Sequence, residues 1–135
     1  MVIAHGDRPA ASTEFDHAVE EVEAAASLGD ARVLTYAAGK GGPNAEQRTR
    51  LGNIESYAKG ELKHAVLTDS AVIRSILRAM SWLSTGKSPS YPPSELRKAV
   101  EELGLNPSEY PAVDRLLAEV CDVGGFPPLP RLTGD

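Results

Sequence analysis

The longest run of patterned hydrophobic positions extends from His64 to Leu83, and it predicts a buried strand followed directly by an amphipathic helix. Residues 64–68 are mostly apolar and do not alternate with polar residues, which is typical of a strand covered on both faces. After Asp69 the apolar positions follow the helical period, and they are Val72, Ile73, Ile76, Leu77, Met80 and Leu83. We therefore expect this strand inside a sheet, with that helical stripe buried against it.

The rest of the chain alternates helices with strands in the same way. In chain order we predict a helix from Ser12–Thr13 to Gly29, a strand over 32–37, a surface helix from Asn44 to Gly60, the central strand and helix, and a proline-flanked edge strand over 88–91. Val2–His5 could add an edge strand, but Gly6, Asp7 and Pro9 follow at once, so an arm is favoured over a core element. The alternation predicts an α/β fold class, with a small, mostly parallel β-sheet of about three to four strands and helices packed on it.

Two further helices and a proline-rich tail complete the predicted single domain, which covers residues 1–123. The first helix begins at Pro92–Ser94 and buries Leu96, Ala99, Val100 and Leu103; the second begins at Asn106–Pro107 and buries Tyr110, Val113, Leu117 and Val120, with Leu116 and Cys121 beside them. The tail, residues 124–135, has the P-x-x-P spacing of peptide ligands for SH3-type domains. Docking of Phe126, Leu129 and Leu132 on the domain itself is the favoured alternative.

Composition and charge narrow the classes of function. The net charge of the 135 residues is -5, and the basic residues are spread along the chain, so we expect no nucleic-acid binding. Cys121 is the only cysteine, which rules out an intrachain disulfide and a zinc site built on cysteines, and fits a reducing compartment. No stretch has the length of a membrane span or the apolar core of a signal peptide, so we expect no membrane insertion and a cytoplasmic location.

The candidate binding residues gather where the central strand ends. Asp69 and Ser70 lie between that strand and its helix, at the sheet edge where open α/β sheets hold ligands. One of the two is expected to cap the helix, and Ser70 is also a candidate phosphorylation switch, because a phosphate there meets the positive end of the helix. Lys40, in a glycine-rich loop after the preceding strand, lacks the spacing of a Walker A loop.

The remaining candidates lie on the central helix. Arg74 and Arg78, one turn apart on its polar face, are candidates for an acidic partner, and Trp82 for a partner-facing or core position. The three histidines share no metal-ligand spacing, and the paired glutamates are adjacent in sequence and point in different directions. We therefore predict no catalytic residues, no metal and no cofactor, and consider an enzymatic activity the less favoured interpretation.

Two segments together resemble a known family. VLTDSAVIRSILRAMSWL, at 66–83, and SYPPSELRKAVEELGL, at 90–105, are similar to small bacterial SpoIIAA-like proteins of the STAS/SEC14 class. The resemblance covers about Val33 to Leu105 and implies a STAS-like core and a regulatory role without catalysis, through docking to a protein partner. It also implies a switch by phosphorylation of the serine in Asp-Ser-[Ser/Thr]-Gly; Asp69 and Ser70 match this motif, whereas Ala71 and Val72 do not.

These observations predict a protein-interaction or regulatory module of the STAS (anti-sigma-antagonist-like) kind, with a protein partner or self-association. Two alternatives remain open. One is a small anionic-ligand-binding domain or minor enzyme that uses Lys40, Ser70 and Arg74 at the carboxyl edge of the sheet. The other is a structural subunit of a larger assembly, with contacts from the tail and from Val2–Ala4.

Overall fold

A computed structural model of the chain describes residues 2–5, 12–38, 46, 49–50, 60–75 and 89–133. Its helices and strands are β1 (Val2–His5), α1 (Ser12–Leu28), β2 (Ala31–Ala37), β3 (Leu62–Leu67), β4 (Ser90–Tyr91), α2 (Leu96–Glu102) and α3 (Tyr110–Gly124). Residues 71–75, between β3 and β4, are also helical. The α/β class predicted from the sequence is confirmed.

The four strands form a parallel sheet in the order β1-β2-β3-β4. β4 lies at one edge, as its prolines predicted, and β1 occupies the other edge with Val2 opposite Leu34. The structure thus has the edge strand that was the alternative for Val2–His5, and the favoured arm was wrong. Strands that follow one another in sequence are neighbours in the sheet, so the sheet grows in one direction, and crossovers of constant hand then fall on one of its faces.

The first layer of helices covers the face that we call the α1 side. Val19 and Val22 of α1 pack with Val33 of β2 and with Leu62 of β3. Further along the same face, Ile73 of the helical segment 71–75 packs with Ala37 and Val66. The helix α1, which links β1 to β2, and the helical segment 71–75, which follows β3, thus both lie on the α1 side.

The opposite face, which we call the α3 side, carries the larger core. Here α2 and α3 pack on the alternate residues of the strands, and the buried set is Leu34, Tyr36, Ala65, Leu67, Leu96, Ala99, Val100, Leu103, Tyr110, Val113, Leu117, Cys121 and Leu132. Leu67, Leu96 and Leu103 are at most 1% exposed. Each fully buried leucine stabilises the fold by about 1.5–3 kcal/mol through removal of apolar surface from water.

The proline-rich tail lies against the α3 side, as its apolar residues suggested. α3 ends at Gly124, and the left-handed backbone of the next residue, Gly125 (φ +67°), lets the chain reverse direction. Phe126 then meets the ring of Tyr36 edge-on, with 6.3 Å between ring centroids, and Leu132 is 3% exposed. The tail therefore supplies part of the core that covers β2 and β3.

Several side chains lie elsewhere than the periodic pattern indicated. Val72 was predicted in the buried stripe but is 60% exposed, because it lies in the first helical turn, past the end of β3. In α3 the fourth buried position is Cys121, and Val120 is only half-buried. Leu116 is 39% exposed. The other members of the central stripe, from Ile76 to Leu83, lie outside the described residues, as does most of the predicted surface helix.

Candidate functional site

The candidate site begins at Thr68, the first residue after β3. Its side chain is fully buried, and its backbone N–H donates to the carbonyl oxygen of Tyr91 over 2.8 Å. Its hydroxyl oxygen accepts the backbone N–H of Ser70 over 3.0 Å. Thr68 therefore anchors the strand-to-helix connection to β4 and leaves the following two residues on the outside of the turn.

Ser70 is the N-cap of the helical segment 71–75. Its hydroxyl oxygen accepts the backbone N–H of Ile73 over 3.3 Å, and its carbonyl oxygen accepts the N–H of Arg74 over 3.1 Å. These bonds satisfy donors that the first helical turn leaves without intrahelical partners. The capping role expected for this pair of residues thus belongs to Ser70, and it ties the orientation of the hydroxyl to the helix.

The side chains around this cap point to solvent. Asp69 and Arg74 are exposed, and Val72 lies between them in sequence with 60% of its surface accessible. An exposed valine is not unusual by itself. Here, however, the backbone that carries it is held by the hydrogen bonds of Thr68 and Ser70, and the exposed Asp69 lies three residues before it.

Tyr36 and the end of α3 lie at the same end of the sheet. Tyr36 lies near the end of β2, and its hydroxyl donates to the carbonyl oxygen of Pro127 over 3.1 Å. Burial, followed by the negative potentials of Cys121 and Asp69, raises the pKa of Tyr36 above its usual value and keeps the phenol protonated. Phe126, just after α3, contacts the ring of Tyr36, so the end of α3 lies near the end of β2, and Val123 in that last turn is 84% exposed. Two exposed valines lie at this end of the molecule.

A polar pair lies within the sheet on the α1 side. His64 of β3 and Thr35 of β2 are joined by a hydrogen bond of 2.9 Å between Nε2 and Oγ1. Burial lowers the pKa of His64 to about 4, so the imidazole is neutral near pH 7. The sequence offered no reason to pair these residues, because strand register decides which side chains meet.

The predicted site residues are only partly brought together. Asp69, Ser70 and Arg74 share the edge, while Lys40, Arg78 and Trp82 lie outside the described residues. The anionic-ligand alternative, which depends on Lys40, therefore stays a prediction. Among the residues that the structure describes, no group of three or more histidine, cysteine, aspartate or glutamate side chains is placed to hold a metal ion.

Comparison with known proteins adds no relative. No family model, curated protein or solved structure matches the chain. Among the helices that the structure describes, no helix has both the length and the apolar character needed to cross a membrane.

Two functional features could not be found by sequence reasoning. The exposure of Val72 depends on where β3 ends, and the hydrophobic period counted this residue as buried. The second feature is Asp114 on α3, which accepts hydrogen bonds from Leu132 and Thr133 of the tail. No local motif marks Asp114, because its partners are 18 and 19 residues away in the chain.

Proposed function

We propose that the chain is a non-catalytic, STAS-like interaction module that binds another protein through the edge formed by Asp69, Ser70 and Val72. The observation that carries the proposal is the exposed Val72, on a hydrogen-bonded strand-to-helix turn that also carries the exposed Asp69 and Arg74. An apolar anchor with a polar rim is the usual composition of a protein–protein contact.

The resemblance to STAS proteins supports the same edge. In that class, phosphorylation of the serine of the Asp-Ser motif switches the docking of the partner, and that serine corresponds here to Ser70. The parallel sheet with its helices, the short strand before Thr68 and the cap at Ser70 are compatible with this resemblance. At the next two positions this chain has Ala71 and Val72, so the proposed contact is apolar and does not require a phosphate.

Partner capture with matched surface variants tests the proposal. The variant is Val72→Asp, which places a charge in the proposed contact without touching the core. The control is Leu28→Asp at the end of α1, because Leu28 is also an exposed apolar residue, at 89%, but lies next to the start of β2 at the opposite end of the sheet. The native mass is measured by size exclusion with light scattering, and stoichiometric partners are captured from lysate of the host.

We expect the wild type and Leu28→Asp to retain the same stoichiometric protein, and Val72→Asp to lose it. A charge in the dry centre of a contact is destabilising because it must be desolvated without a partner. A wild-type protein that stays monomeric and retains no partner contradicts the proposal. Equal capture by both variants also contradicts it, because the contact then lies elsewhere.

A further inference from the structure

The tail is bound to the helices as a separate peptide would be, through its backbone as well as a side chain. Asp114 of α3 accepts the N–H of Leu132 over 2.8 Å, the N–H of Thr133 over 2.9 Å and the hydroxyl of Thr133 over 2.6 Å. From α2, Arg97 donates to the carbonyl oxygen of Leu132 over 2.7 Å. Leu132 is thus held on both sides, by an acid from one helix and a base from the other.

The recognition site is continuous with the core. The guanidinium of Arg97 lies over the ring of Tyr110, 5.5 Å from its centroid, which orients the donor. The side chain of Leu132 belongs to the same buried cluster as Tyr110, Val113 and Leu117. We name this site, formed by Arg97, Asp114 and these three core residues, the tail groove. It combines an apolar pocket with a donor and an acceptor for extended backbone.

Two glycines and three prolines set the course of the segment before Leu132. Gly124 and Gly125 precede it, and prolines at 127, 128 and 130 favour an extended chain. The seven residues from Phe126 to Leu132 span roughly 20 Å at about 3.1 Å per residue. A rotation at the two glycines therefore carries the tail away from its own groove and into reach of another molecule.

We propose that the tail groove is a peptide-binding site that accepts the Phe126–Thr133 segment of a second copy of this chain, so that two molecules exchange tails. Every contact between tail and groove is the same in the exchanged form as within one chain. Exchange of an identical element therefore costs only the change at the hinge and the loss of independent motion. This surface is distinct from the Val72 edge, and the two are tested with different variants.

Tethering sets a limit on the affinity of the groove for a free tail. A short tether holds the tail at an effective concentration on the order of 1 mM. Because the tail is docked in the structure, its dissociation constant from the groove is lower than this effective concentration. Consider one molecule with an intact groove and another with an intact tail, neither of which can bind its own tail. The dissociation constant of their complex must then be at or below about 1 mM.

Two full-length variants create that situation. Asp114→Ala removes the acceptor of three hydrogen bonds and keeps a normal tail, while Leu132→Asp keeps a normal groove and removes the apolar anchor of the tail. Each variant alone has no complete tail–groove pair, but their mixture contains one. The control mixture joins Leu132→Asp with Asp122→Ala, an exposed carboxylate on the same helix, in which the normal tail stays in its own groove.

Sedimentation velocity with increasing protein concentration gives the result. We expect each variant alone to sediment as a monomer and the first mixture to form a species of twice the mass, with at least about tenfold less complex in the control mixture because its tail is sequestered. Circular dichroism verifies that each variant is folded. If both are folded and their mixture stays monomeric up to about 1 mM, the proposal is wrong.

Hydrogen exchange of the wild type tests tail release if either variant fails to fold. We expect the amides of Leu132 and Thr133 to exchange at least about tenfold faster than those of Leu34 and Leu67 in the sheet, because the tail opens without global unfolding. Equal protection of the two sets overturns the proposal, since the tail then leaves only when the whole domain unfolds.

Discussion

The half-buried pair of His64 and Thr35 makes the stability of the fold depend on pH. The ordinary pKa of a histidine is 6.5, and burial lowers that of His64 to about 4 in the folded chain. Above pH 7 the imidazole is neutral in both the folded and unfolded states. As the pH falls below 6.5, the unfolded chain binds a proton that the folded chain does not, so the free energy of unfolding decreases.

The size of this decrease follows from the two pKa values. At about 1.4 kcal/mol for each pH unit between 6.5 and about 4, the full effect is on the order of 3 kcal/mol. Linkage gives a loss of about 1.4 kcal/mol by roughly pH 5.5 and about 2.5 kcal/mol by roughly pH 4.5. Below pH 4 the folded chain is protonated as well, and the contribution of His64 becomes constant.

His64→Gln removes the titration while keeping a side chain that can hydrogen-bond to Thr35. Urea unfolding of both proteins across this pH range gives two stability profiles, and their difference isolates His64 from all other titrating groups. His17→Gln is the matched replacement on the surface, where the imidazole lies 3.0 Å from Glu21 with 74% of its side chain exposed. It reports the effect of removing an exposed histidine.

We expect the wild type to lose stability relative to His64→Gln steadily from pH 7 to pH 4, by the amounts given above. A difference that stays within about 0.5 kcal/mol over this range refutes the reasoning, because His64 then titrates alike in the folded and unfolded chains. A direct check is the titration of the imidazole protons by NMR, in which the His64 resonance moves near pH 4.

Two further predictions concern the stability of variants with a single substitution. Ser70→Ala removes the hydroxyl that accepts the N–H of Ile73, so urea unfolding should show a loss of about 1 kcal/mol in the free energy of unfolding. Ser70→Asp restores an acceptor and should recover most of this loss. Equal stability of Ser70→Ala and the wild type would contradict the cap. Gly60→Ala places a Cβ 2.7 Å from the backbone nitrogen of Asp30, so thermal unfolding should show a loss of roughly 1–3 kcal/mol, and an unchanged midpoint would mean that this approach is not close.

The helices of the α3 side were predictable because their pattern is local. Leu96, Ala99, Val100 and Leu103 repeat at helical spacing, prolines open both helices, and every member of this set is buried. β1 was not predictable in the same way. Four residues carry little periodic signal, and pairing such as Val2 with Leu34 is set by contacts across 32 positions of the chain.

The same distinction between local pattern and long-range packing applies to the candidate site. A cap at Asp69 or Ser70 was predicted because both residue types favour the start of a helix, and the structure assigns it to Ser70. The burial of Val72 was predicted wrongly because the period alone does not say where the sheet ends beneath a helix. Similarly, Val120 and Cys121 both fit the helical period of α3, and only packing against the strands determines that Cys121 is the buried one.

The placement of α2, α3 and the tail on one side has a consequence for synthesis of the chain. Among the described residues, all four strands precede residue 92, whereas the helices and the tail that cover the α3 side follow it. A nascent chain that has just completed β4 therefore carries a sheet with Leu34, Tyr36 and Leu67 open to water. Such a surface attracts other unfolded chains and chaperones. Residues 92–133 therefore cover an apolar surface that the ribosome synthesises before them.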